Sequence, residues 1–207
     1  MHYVMVEGYP LPAPFGGHPA LELCNTWSGW QDPPDVDGPV DRRREYLADP
    51  DRLAVWLVHH ELVDRDDGVA LREWFVAHPT DGAAALADVR RLRSLAYPLL
   101  LDPAAATWPA VATYADDAAA ASRLERDGST FVRRGRGADV GRPVRAVAGA
   151  VEQLLTGPDR TAVRACPGTD CGWLFLDRNG RRKWCSMTSC GNRAKVRAYE
   201  ERRHPGP

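Results

Sequence analysis

The stretch CPGTDCGWLFLDRNGRRKWCSMTSCGNRAKVRAYE, residues 166–200, places four of the chain's five cysteines in two close pairs and then turns into a basic, helix-forming run. The spacing is Cys166-x4-Cys171-x13-Cys185-x4-Cys190. Between the pairs, Trp173 to Leu176 reads as an apolar strand and Asn179-Gly180 as a turn. The residues up to Cys185 then read as a return strand that brings the second pair beside the first. Four thiolates at such spacing can close a tetrahedral site with no open position for substrate or water, so one structural Zn2+ is the expected cofactor. A segment this short has little core of its own, and metal binding, on the order of 10 kcal/mol, is expected to fold it. Cys190-Gly191-Asn192 falls where the helix through Tyr199 should begin, and backbone N–H groups there favour ionised sulfur.

Disulfides would need an oxidising compartment. The N-terminal MHYVMVEGYPLPAPFGG has neither the basic start nor the continuous apolar run of a secretion signal. No window approaches the roughly 18 unbroken apolar residues of a membrane span. The expectation is a soluble, cytoplasmic protein with no membrane partner. Cys24, in the apolar run LELCN, reads as a buried small residue.

The net charge of −1 hides a division along the chain. From residue 157 onward there are 11 Lys and Arg against 5 Asp and Glu, a balance of +6, which leaves 16 against 23, or −7, in residues 1–156. A basic module on an acidic body suits a nucleic-acid reader, and equally a tail that folds back on its own body. Four thiolates on zinc carry a formal −2, so some of these cations serve to neutralise the site. Arg193 and Arg197 share one helical face at i, i+4, and Lys195 and Arg202 share another; Val196 and Tyr199 are expected to pack on the hairpin.

Before this module the chain reads as mainly helical. PALELCNTWSGW is a buried segment ending near Asn25-Thr26, followed by a QDPPDVDGP surface loop at 31–39. Asp49-Pro50 caps a helix with Leu53, Trp56, Leu57 and His60 on one face. Gly68 marks the gap before a second helix, ended by Pro79. Asp81 caps a third, which Tyr97-Pro98 bends or ends. Trp108-Pro109 opens another helical piece, Asp127-Gly128 suggests a two-stranded ribbon, and RGRGADVGR at 134–142 reads as a flexible basic loop. A helix over Arg145 to Leu155 stops at Gly157-Pro158. That pair divides a helical domain, 1–156, from a finger domain, 157–207. The expected fold class is mainly α with a small β-hairpin (α+β), a helical N-terminal domain plus a treble-clef-like four-cysteine zinc finger.

Other residues carry less. Adjacent His59 and His60 point about 100° apart on a helix, so one should pack and the other stay solvated. The tryptophans of the acidic domain read chiefly as core. The alternative is an aromatic-lined small-molecule pocket with Asn25 and Thr26 as polar groups beside Trp27 and Trp56. No nucleophile-base pair, phosphate-binding glycine loop or paired-carboxylate site is seen, and the chain reads as non-enzymatic.

The motif C-x4-C-x-W-L-F-x-D followed by R-R-x-W-C-S-M-x-x-C-G-N-R-x-K resembles the CGNR zinc-finger family. The pieces present are Cys166, Cys171, Trp173, Phe175, Asp177, Arg181, Arg182, Trp184, Cys185, Cys190, Gly191, Asn192, Arg193 and Lys195. GGHPALELCNTW is similar to the start of the ABATE domain that precedes this finger in bacterial proteins described as stress-induced transcription regulators. Cys24 stands at the last position of a run that is usually acidic-aromatic or aliphatic, which leaves a redox role open. The resemblance implies a metal-dependent DNA-binding regulator. Arg181, Arg182, Lys183, Arg193, Lys195, Arg197 and Arg202 are the expected phosphate contacts. RNA is a variant of the same reading, and the N-terminal domain would sense a small-molecule effector or form a homodimer. The rival is a small-molecule-binding or catalytic helical domain, with the finger as a structural or protein-docking module.

Overall fold

Two aspartates start the first long helices. Asp49 accepts the Arg52 N–H at 2.8 Å, with Pro50 in the first turn, and opens the helix Pro50–His59. Asp64 does the same for Asp67 at 2.8 Å and opens the helix Arg65–Ala77. The structure, a computed structural model, describes residues 3–35, 41, 44–135 and 139–203. Parts of the QDPPDVDGP and RGRGADVGR loops lie outside the described residues. The described helices are α1 (Pro19–Cys24), α2 (Pro50–His59), α3 (Arg65–Ala77), α4 (Pro79–Leu101), α5 (Trp108–Ala120), α6 (Arg142–Thr156) and α7 (Asn192–Arg203). Three two-stranded antiparallel pairs accompany them: β1 (Tyr3–Val6) with β2 (Tyr9–Pro12), β3 (Ser122–Asp127) with β4 (Thr130–Gly135), and β5 (Val163–Ala165) with β6 (Leu174–Leu176). The fold is mainly α with small sheets.

Helix α4 is the axis of the body and packs against α1, α2, α3, α5 and α6. Its buried stripe of Leu86, Val89, Leu92, Ala96, Leu99 and Leu100 recurs at helical spacing, and burial of the last two carries the helix through Pro98 to Leu101. Gly68, expected in a gap, lies inside α3. A Cβ there would stand 2.2 Å from Val58 Cγ2, so the missing side chain is what lets α2 and α3 approach. The N-terminal β1–β2 hairpin, not anticipated, turns at Glu7 and Gly8, both at positive φ. The β3–β4 ribbon forms with Asp127 opposite Thr130, so Gly128 and Ser129 make the turn.

The apolar strand at 174–176 exists, but its partner is not the segment after Asn179-Gly180. It pairs upstream, with Val163 opposite Leu176 and Ala165 opposite Leu174. Asp177 explains the difference: its Oδ1 accepts the N–H groups of Arg181 (2.9 Å) and Arg182 (3.1 Å), which curls the following residues into a turn. All three residues of β6 are buried, and they share one hydrophobic core with α1, α2 and α4.

Candidate metal centre and nucleic-acid face

Two loops and a turn bring the sulfurs together. Cys166 directly follows β5, and the Cys166 N–H bonds Trp173 O at 2.8 Å, so the loop between them returns Cys171 beside it. Inside that loop Cys171 N–H bonds Gly168 O at 3.1 Å, and a Cβ on Gly168 would meet Cys190 Sγ at 3.0 Å. The second pair is set by a π-helical turn, Met187–Gly191, which runs directly into α7.

The four sulfurs lie within 4.8 Å of one another and all four residues are buried. Cys185 Sγ stands 3.6 Å from both Cys171 Sγ and Cys190 Sγ. Zinc bonded to sulfur at about 2.3 Å in a tetrahedron keeps its sulfurs about 3.8 Å apart, whereas a disulfide would hold two at about 2 Å. The spacing and the all-thiolate donor set therefore fit one closed, structural zinc site. Backbone N–H groups of Cys185 and Trp173 point at Cys166 and Cys171 respectively. Hydrogen bonds from Cys171 and Cys185 push the Cys166 thiol down to about 6, while the crowding of neighbouring sulfurs drives Cys171 and Cys185 up. Only a cation allows all four to ionise together. At the helix start the Gly191 N–H bonds Ser186 O at 3.0 Å, and the Arg193 side chain donates to Cys190 Sγ from Nη2 at 3.1 Å.

The predicted basic residues divide into three groups. Arg182 stands apart from the others: its guanidinium turns inward, over the Phe175 ring at 4.6 Å, and donates to the carbonyls of Phe15, Trp184 and Cys185. It clamps the finger to the N-terminal loop because a planar donor fork can satisfy several carbonyls in one plane. Arg181 and Lys183 are exposed on the turn, with Lys183 Nζ 5.3 Å from the Trp184 ring centre. Arg193, Lys195, Arg197 and Arg202 are exposed along α7, where Arg197 also donates to Thr169 Oγ1. Val196 and Tyr199, expected to pack on the hairpin, are 55% and 52% exposed instead, and no residue of α7 is buried. With 181–186 curled by Asp177, no return strand offers them a surface.

Asn25, Thr26, Trp27 and Trp56 are brought together in the core, at 0–5% exposure. The polar groups of the first three are bonded within the protein. Asn25 Oδ1 and Nδ2 hold the N–H and C=O of Leu174. Thr26 Oγ1 donates to Leu23 O and accepts from Arg93 Nη1, and Trp27 Nε1 donates to Asp32 O. Trp56 Nε1 has no partner in the structure. Arg93 and Glu45 form a buried two-pronged ion pair beside them, at 2.8 and 2.6 Å. His60 packs against Trp56, where burial lowers its pKa to about 4, and His59 is exposed. Cys24 is fully buried and its thiol is pushed up to about 12, so it stays protonated and shielded from oxidants.

Residues without an evident local signal hold the finger in place. Trp30 stacks on Tyr97 at 3.7 Å, and the Trp30 N–H bonds Cys171 O at 3.0 Å. Tyr97 Oη donates to Gly172 O at 2.7 Å, Gln31 Nε2 to Gly168 O at 3.1 Å, and Trp173 Nε1 to Trp27 O at 2.9 Å. Gly172 sits at φ +69 with Trp30 Cβ 2.5 Å from where its own Cβ would be, so only glycine fits.

Fold and site together define a four-cysteine zinc-finger protein whose metal loop is docked on a helical body. Residues 162–203 match the CGNR zinc finger, and residues 17–158 match the ABATE family, described as "Putative stress-induced transcription regulator". The chain belongs to the ABATE family. No curated protein matches it. Among the described residues, no helix is long and apolar enough to cross a membrane.

Proposed function

We propose that this chain is a zinc-dependent, DNA-binding transcription regulator of bacterial type. Residues 157–207 contact the nucleic acid, and residues 1–156 sense a signal or dimerise. The observation that carries the reading is α7: a helix with no buried residue, held at one end by the zinc site and studded with Arg193, Lys195, Arg197 and Arg202. Arg181 and Lys183 add exposed charge on the adjacent turn. A structural zinc site keeps such a basic element rigid, and rigid cations contact phosphates without the ordering cost that a loose tail would incur. Arg182, engaged with three backbone carbonyls, belongs to the scaffold.

Zinc-loaded protein is incubated with fragmented genomic DNA at several salt concentrations, and the retained fragments are sequenced. The reading requires a discrete enriched sequence whose retention falls as salt rises. Retention no better than bulk DNA, with zinc bound and the fold intact, would refute it and leave the finger as a docking or structural module.

A further inference from the structure

The two sides of α7 differ in what they meet. Arg193 reaches Cys190 Sγ and Arg197 reaches Thr169 Oγ1, so this side leans on the first metal loop, with Ala194 between them. At about 100° per residue, Asn192, Lys195, Val196, Tyr199, Arg202 and Arg203 fall within one arc of about 120°, and at its edge Asn192 and Val196 share a surface concavity with Arg193, Arg197 and Glu200. That arc carries three cations and two exposed apolar side chains, with Glu200 at its border beside Val196 and Glu201 on the far side of the helix. Arg203 lies over the Tyr199 ring at 5.5 Å and donates to its hydroxyl.

We propose that α7 is a major-groove reading helix for duplex DNA: Asn192, Lys195, Val196, Tyr199 and Arg202 face the base edges, and Arg193 and Arg197 contact the flanking backbone. The inference rests on the DNA-binding reading above. The mixture of groups favours duplex DNA as the partner. A purely electrostatic surface needs no exposed valine, whereas a base-reading surface uses an amide for adenine, cations for guanine and apolar groups for the thymine methyl. The major groove, about 12 Å wide, admits a single helix, and α7 projects with its outer side uncovered. Arg193 and Arg197, held against the metal loop, are placed as fixed cations beside the groove, as backbone contacts require.

The test is selection from randomised duplex DNA by the zinc-loaded full-length chain, repeated with N192A, V196A, K195A, R193A and K183A. Zinc content and melting are recorded for each variant; none of these residues is buried, but Arg193 donates to Cys190 Sγ and Asn192 Nδ2 to Thr188 O, so R193A and N192A are read only with zinc content and melting unchanged. N192A and V196A are expected to lose about tenfold in discrimination between the selected duplex and single-base-pair changes, with an unaltered salt slope. R193A and K183A should weaken all duplexes alike and reduce the salt slope by about 0.9 each. If the selected sequence is unchanged in N192A, V196A and K195A while DNA is still bound, α7 does not read bases and the inference fails, although the DNA-binding reading stands. Preference for single strands or RNA in a parallel selection also overturns the inference. No binding to any nucleic acid removes both.

Discussion

Asn25 grips the backbone of Leu174 with both ends of its amide: Oδ1 accepts the Leu174 N–H at 2.8 Å and Nδ2 donates to Leu174 O at 3.0 Å. Strand β6 is paired on one side by β5, and on the other Asn25 acts as the neighbouring strand, continued by Gly16 O, which accepts Leu176 N–H at 3.0 Å. Asn25→Ala leaves two buried backbone groups without partners, so a loss of about 2–4 kcal/mol is expected. Chemical denaturation of zinc-loaded protein measures it; a loss within experimental error would show that the grip contributes nothing to docking.

Removing zinc should unfold more than the finger. Trp173 is 2% exposed and bonded to Trp27 O, and β6 lies in the common core. Chelation, or Cys185→Ser, is expected to shift tryptophan emission to the red and to lower the melting temperature of the whole helical signal in one transition. Two separate transitions, with the body unchanged, would contradict a shared cooperative unit. Elemental analysis should return one zinc per chain.

Glu45→Ala strands the buried Arg93 guanidinium, whose Glu45 contacts are at 2.8 and 2.6 Å, and is expected to cost about 3–5 kcal/mol. Adding Arg93→Met removes the orphaned charge and should restore a good part of that stability. A double variant no better than the single one would mean that the pair's packing, not its charge, matters.

Glu22 supplies a pH signature. Burial raises its pKa from 4.5 to about 7, against the opposing hydrogen bonds from the Gly17 and Gly16 N–H groups. The folded chain therefore holds this proton more tightly than the unfolded chain, and the contribution of Glu22 to stability is fully present below about pH 4.5 and lost as pH rises through about 7. Glu22→Gln should accordingly be more stable than the parent by up to about 3 kcal/mol at about pH 8, with no gain at about pH 4. Melting curves of the two proteins across this range decide it, and a constant difference would refute the assignment.

Much of the architecture was legible because its causes are local. Asp49-Pro50 and the apolar spacing of α4 announce helices on their own terms, and cysteine spacing announces a closed metal site. The failures share one cause. Gly68 reads as a helix breaker until Val58 is seen against it, and Trp173 to Leu176 reads as half of a downstream hairpin until Asp177 is seen to curl the next residues. In each, a contact from another part of the chain, or a side chain bonding its own backbone, overrides propensity.

By itself, the sequence determined the helical body, the four zinc ligands and the concentration of positive charge after residue 157, since caps, periodicity, ligand spacing and charge are properties of neighbouring residues. Only the tertiary structure decided that Asn25 and Thr26 are bonded inside the core, that Arg182 faces inward, and that Val196 and Tyr199 remain outside. Those outcomes depend on which backbone groups, far away in sequence, are left needing partners once the helices pack. Leu174 needed two, and Asn25, 149 residues earlier, satisfied both.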